Sequence, residues 1–108
     1  MSSFDDPRSR RSEELAFQAE RALSAEDVAD SERLFAEAAE LEEEVARDVP
    51  GGEPRVRGVL AVSAAALWLR AGRFDQVQRV ASSFLKEPAI HGQERRELED
   101  LLGADAAV

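Results

Sequence analysis

A chain of 108 residues, 44% apolar and 34% charged, is long enough for one domain with a modest core under a charged surface. Its formal net charge of −9 disfavours binding to nucleic acid or anionic lipid, and the absence of cysteine excludes disulfides and cysteine-ligated zinc. No apolar stretch approaches the ~18 residues of a membrane span, and no secretory signal is visible, so we expect a cytoplasmic protein.

The N-terminal residues are polar and lack apolar periodicity, which is typical of a flexible segment. Ser12 is the expected N-cap of the first helix, because Glu13 and Glu14 follow it in the first turn. Apolar residues at helical spacing continue from Leu15 to Leu23. The predicted organisation is a tail, one helical domain and a second tail, over residues 1–11, 12–103 and 104–108.

The second helix is predicted from about Glu26 to Asp48, and a Pro-Gly-Gly sequence at residues 50–52 ends it. The third helix is predicted from Pro54 to Ala71. It is apolar nearly all round, which indicates a helix buried between others at the centre of the fold.

Gly72 is the expected left-handed residue that closes the third helix. A fourth helix is predicted from about Phe74 to Lys86, and a last one from about Gly92 to Leu102, with Gly103 closing it. The fold class is therefore predicted to be all-α, with about five helices in stacked antiparallel hairpins joined by short loops.

The pair of helices around Gly72, over residues of about 57–88, resembles a tetratricopeptide repeat (TPR). That family places a small residue, an aromatic residue, the turn glycine and a second aromatic residue where this chain has Ala65, Trp68, Gly72 and Phe74. The chain departs from the pattern at Val77 and Phe84, where small residues are usual. The resemblance implies a short TPR-like α-solenoid in which these six positions are structural.

Residues 34–102 also resemble small bacterial proteins with a TPR-like fold. The shared features are an acidic Ala-rich helix, a Pro-containing loop, an Arg-bearing buried helix, a Gly turn and a final helix after Pro. Such domains occur alone or beside effectors, including caspase-like proteases, in bacterial conflict systems. The resemblance implies a protein partner, with an effector encoded nearby as a candidate.

An acidic cluster occupies the second predicted helix, at Glu37, Glu40, Glu42, Glu43, Glu44 and Asp48. We interpret it as a solvated face, because Arg33 and Arg47 stand four residues from Glu37 and Glu43. The alternative is a site for a metal ion or a basic partner. A di-iron site needs Glu-x-x-His motifs on facing helices, and the chain has a single histidine, so no metal site is predicted.

Four arginines flank the predicted third helix, at Arg55, Arg57, Arg70 and Arg73. Two of them stand at a helix N-terminus, where the helix dipole disfavours a cation and compensation is expected. One interpretation is ion pairing with the acidic second helix. The other is an anion pocket for a carboxylate tail or a nucleotide phosphate. These arginines are the predicted partner-binding residues.

Catalysis is not predicted, because no nucleophile, base and metal set is visible. Ser63 is expected to bond a backbone carbonyl of its own helix, and His91 to be an exposed loop residue. No cofactor is expected.

The leading hypothesis is a non-enzymatic protein–protein interaction module, an adaptor or regulatory partner, that uses a TPR-like groove. One alternative is a sensor of a small anionic ligand or nucleotide that regulates an effector. Another is a homodimeric structural protein, in which a second copy covers the exposed edge.

Overall fold

The computed structural model describes residues 6–104, which form five α-helices and no strand. The helices are α1 (Pro7–Ser24), α2 (Val28–Asp48), α3 (Pro54–Arg70), α4 (Phe74–Leu85) and α5 (Gly92–Ala104). The all-α prediction is confirmed, and the predicted bounds of α3 and α4 are correct to within one residue. The molecule measures 41 × 37 × 18 Å. Across the described residues, no helix combines the length and apolar character that crossing a membrane requires.

The start of α1 differs from the prediction. Asp6 is the N-cap, its side chain accepting a hydrogen bond of 2.8 Å from the Arg8 amide, and Pro7 takes the first helical position. Residues 7–11 are therefore helical, so assigning them to a tail was wrong, as was the N-cap at Ser12. The buried face of this first segment consists of Ser9 and Ser12, and a search for apolar periodicity does not detect it. The remaining tail residues, 1–5, lie outside the described part.

The other helix ends shift by smaller amounts. Asp27 caps α2 by accepting from the Asp30 amide at 3.1 Å, so α2 starts two residues later than expected. At the C-terminus, α5 continues through Gly103 to Ala104, so Gly103 does not end it. Residues 105–108 of the predicted second tail are outside the described residues.

The central position predicted for α3 is confirmed. It contacts α2, α4 and α5, and its buried side is made largely of small residues. At Gly58 an added Cβ would lie 3.1 Å from Glu94 Cβ, so the glycine allows α5 to approach closely. Large side chains from the other elements fill the core around this helix, among them Phe35, Phe84, Ile90 and Leu98.

The turn between α3 and α4 has the predicted left-handed glycine, with φ of 73° at Gly72. The Arg73 amide donates to the Trp68 carbonyl and the Gly72 amide to the Leu69 carbonyl, each at 3.0 Å. This pair of bonds satisfies carbonyls that the end of α3 would otherwise leave without partners. The turn fixes α3 and α4 as an antiparallel hairpin.

Candidate functional site

The four predicted binding arginines do not converge on one pocket. Arg57 is the most engaged of them: its Nε and Nη2 donate to the Glu87 carboxylate at 2.7 and 2.9 Å. Its Nη1 donates to the carbonyls of Ala46 and Arg47, at 2.9 Å each. The compensation expected at this helix start is therefore present, but the prediction of its source was wrong. The carboxylate follows α4, and α2 contributes backbone carbonyls rather than acidic side chains.

Arg55 and Arg70 stand at opposite ends of α3. The Arg55 side chain is 90% exposed, and its Nε lies 3.6 Å from Glu94, beyond hydrogen-bonding distance. Arg70 lies over the Phe35 ring at 4.4 Å, and its Nη1 donates to Glu20 at 2.9 Å. The two arginines stand fifteen positions apart on one helix, which corresponds to about 22 Å. Arg73, the remaining one, is an exposed residue at the start of α4.

Between Arg55 and Arg70 the outward side of α3 is apolar. Val59 is 40% exposed, and Val62 and Ala66 are partly exposed. Together with Arg55 and Arg70 they form a set of five residues. The steps between successive members are four, three, four and four positions, which places all five in one row on a helix. We call this row the α3 face; its residues are Arg55, Val59, Val62, Ala66 and Arg70.

The α3 face lies between α1 and α5. Glu20 of α1 reaches Arg70 at one end of the row, and Glu94 of α5 is beside Arg55 at the other. A surface row on a helix in water is ordinarily polar. The arrangement offers an apolar contact strip with a guanidinium at each end, and nothing in it resembles a catalytic set.

The acidic cluster on α2 is only partly the solvated face that was predicted. The Arg33–Glu37 and Arg47–Glu43 pairs are present, with closest distances of 3.3 and 2.9 Å. Glu42 and Glu43, however, are buried. Across the described residues, no group of three or more acidic or histidine side chains is placed to hold a metal ion.

Glu43 joins three helices. Arg79 of α4 donates to both of its carboxylate oxygens at 2.7 Å, Arg47 donates at 2.9 Å, and the indole of Trp68 donates at 3.3 Å. Burial alone would raise the pKa of Glu43, but the hydrogen bonds from Arg79, Arg47 and Trp68 outweigh it and hold the pKa at about 2. Glu43 is therefore a charged structural residue at neutral pH.

Glu42 has a different environment. The hydroxyls of Ser9 and Ser63 donate to its two oxygens at 3.2 and 2.8 Å, and no described cation forms an ion pair with it. Burial raises the pKa of Glu42, and the two serine hydrogen bonds oppose that rise only in part. The expected bond from Ser63 to a carbonyl of its own helix is replaced by this bond to Glu42.

Of the predicted repeat positions, Ala65, Trp68, Val77 and Phe84 are buried, and Gly72 forms the turn. Phe74 is 38% exposed, so it is not a core residue. His91 is exposed, as predicted, with Nδ1 2.9 Å from the Ala89 carbonyl oxygen.

Sequence reasoning missed the roles of Ser9, Glu42, Glu43 and Arg79. One signal was present: Glu42 lies four residues after buried Ala38 and three before buried Val45, and so falls on the apolar stripe of α2. Nothing local pointed to Arg79, which is 36 residues from Glu43.

Comparisons of the chain with protein-family models, with curated proteins and with solved structures find no match.

Proposed function

We propose that this protein is a non-enzymatic protein–protein interaction module and that the α3 face is its binding surface. The observation that carries the proposal is that α3 contacts three other helices and still leaves Val59 exposed, with Val62 and Ala66 partly exposed in the same row. Exposed apolar rows bordered by charged residues are typical of surfaces that contact another protein.

The two ends of the α3 face have hydrogen-bonding capacity to spare. A guanidinium has five N–H donors. Within residues 6–104, Arg70 uses one of them on Glu20, and Arg55 has only the contact of 3.6 Å to Glu94. A partner carboxylate can therefore pair with either arginine without displacing a buried bond. Val59, Val62 and Ala66 supply the apolar contact between the two ends.

A TPR-like stack agrees with this proposal. The hairpins α1–α2 and α3–α4 are followed by α5, and α3 contacts α5 directly. In our proposal the hairpins stack in this way, with α1, α3 and α5 bordering a shared groove. In our proposal the protein acts in the cytoplasm as an adaptor or regulatory partner, with an effector protein as the candidate occupant.

A small anionic ligand is less favoured as the occupant. About 22 Å of helix separates Arg55 from Arg70, and the donors of Arg57 are engaged by Glu87 and the end of α2. No single phosphate or carboxylate could contact all of these groups.

The test compares two exposed positions that receive the same new charge. Val59→Glu alters the α3 face, and Ser82→Glu alters the exposed side of α4. Affinity capture from cells that naturally produce the protein should recover a partner with the wild type and with Ser82→Glu, but not with Val59→Glu. Circular dichroism checks that both variants are folded. Equal recovery by all three proteins would contradict the proposal. Recovery of the chain itself alone would point to a homodimer.

A further inference from the structure

The attachment of α1 depends on few large apolar contacts. Its buried residues are Ser9, Ser12, Leu15 and Ala19, so Leu15 is the one large apolar side chain among them. Two exposed ion pairs also connect α1 to the rest of the fold, Arg8–Asp48 at 2.7 Å and Glu20–Arg70 at 2.9 Å. Exposed pairs of this kind contribute little to stability. The buried polar contacts of α1 therefore carry unusual weight.

Among the described residues, two buried hydrogen bonds from side chains of α1 reach α2: the Ser12 hydroxyl donates to the Ala38 carbonyl at 2.9 Å, and the Ser9 hydroxyl donates to Glu42. The Glu42 carboxylate accepts from Ser9 of α1 on one oxygen and from Ser63 of α3 on the other, so a single side chain of α2 links three helices. We call Ser9, Glu42 and Ser63 the Glu42 cluster. Residue Glu42 is 9% exposed, and its carboxylate has no cationic partner among the described residues. A buried anion held only by neutral hydroxyls is costly, and gaining a proton removes that cost.

The charged groups that face the Glu42 cluster also favour the neutral form of Glu42. On the α1 side these are Glu13 and Asp6, both of which favour a neutral Glu42. Asp6 is partly compensated by its own pair with Arg8 at 2.8 Å. From α3 the facing group is the Ser63 hydroxyl, which carries no charge.

We propose that Glu42 controls the docking of α1 by its protonation state: the neutral carboxyl holds α1 against α2 and α3, and ionisation loosens α1 while the other helices stay in place. This inference does not depend on the proposed function. It has a consequence for that function, because α1 borders the α3 face through Glu20 and Arg70.

The sign of the pH dependence of α1 docking follows from the linkage between proton binding and folding. Burial places the pKa of Glu42 above its ordinary value of 4.5, so the folded state binds the proton more tightly than the unfolded state. The stabilisation is complete below the ordinary pKa and is lost as the pH rises through the folded pKa. The rise in the opening of α1 is about tenfold for each pH unit between the two values.

Hydrogen–deuterium exchange of the full chain tests this, with amide protection of residues 7–24 and of residues 74–85 compared at pH 5 and pH 8 after correction for intrinsic exchange rates. In the wild type, α1 should lose protection at pH 8 while α4 does not. Glu42→Gln should abolish the pH dependence of α1. Glu44→Gln, an exposed carboxyl on the same helix, should leave it unchanged.

A wild-type loss of protection in α1 that Glu42→Gln retains would overturn the proposal, as would equal losses in α1 and α4. If Glu42→Gln does not fold, the wild-type carboxyl can be titrated directly by carbon NMR. A midpoint above 4.5 for Glu42 supports the proposal, and a midpoint at or below 4.5 overturns it.

Discussion

Glu43 and Arg79 form a bidentate ion pair in which both nitrogen–oxygen distances are 2.7 Å. This pair joins the middle of α2 to α4 across 36 residues of sequence. Arg47 and Trp68 complete the hydrogen bonding of the carboxylate. The buried carboxylate is thus compensated by two guanidiniums and an indole, which makes it a stabilising contact rather than a ligand site.

Removing this charge should destabilise the fold. Glu43→Gln keeps the side-chain shape but replaces one of the two acceptor oxygens with an NH2 donor, so part of the bonding from Arg79, Arg47 and Trp68 is lost. We expect a loss of about 1–2 kcal/mol in the free energy of unfolding. Urea titration followed by circular dichroism measures it. Glu37→Gln is the matched control, because it breaks the exposed pair with Arg33, and it should cost less than about 0.5 kcal/mol. Equal losses in the two variants would mean that Glu43 has no special role.

The same carboxylate should make stability sensitive to acid. The pKa of Glu43 is about 2 in the folded protein against an ordinary value of 4.5, so its stabilisation is present above pH 4.5 and lost as the pH falls toward 2. Arg8 also lowers the pKa of Asp6 to about 2, so Asp6 makes stability sensitive to acid over the same pH range. Comparing the wild type with Glu43→Gln at each pH isolates the contribution of Glu43. The gap between the two proteins in their free energy of unfolding should be widest above pH 4.5 and should disappear in acid. A gap that is constant from pH 6 to pH 2.5 would contradict the assignment.

The turn at Gly72 should not tolerate a side chain. With φ of 73°, an alanine there adopts a strained conformation, and its Cβ would lie 2.8 Å from Glu32 Oε2. We expect Gly72→Ala to cost about 1–2 kcal/mol, most of it from the backbone, because the Glu32 side chain can move. Gly51→Ala provides the comparison, since an added Cβ there meets no atom within 4 Å. Thermal melts should show a lower Tm for Gly72→Ala only.

Arg57 and Arg55 should respond differently to the same conservative change. Arg57→Lys keeps the charge but loses the planar guanidinium, which donates to Glu87 and to the α2 carbonyls at the same time. This loss should cost about 1–2 kcal/mol of stability. Arg55→Lys should change stability by less than about 0.5 kcal/mol, because that side chain is 90% exposed. Chemical denaturation measures the free energy of unfolding of both variants and decides whether Arg57 is structural. Equal values for the two variants would show that Arg57 is not structural.

The sequence predicts α3, α4 and the Gly72 turn well, because apolar periodicity, Pro54 and a turn glycine all act locally. The start of α1 could not be found in this way, since its buried face begins with Ser9 and Ser12. The candidate site was predicted less well. Arg55, Arg57, Arg70 and Arg73 look equivalent in sequence, and only the position of Glu87, thirty residues from Arg57, separates a structural arginine from exposed ones.

We propose above that the α3 face contacts another protein. A photo-crosslinking amino acid at position 59, introduced into the chain in cells that naturally produce it, tests this most directly. The matched position is 82, on the exposed side of α4. We predict a discrete adduct of this chain with a second protein from position 59 and none from position 82. No protein adduct from position 59, or the same adducts from both positions, would contradict the claim.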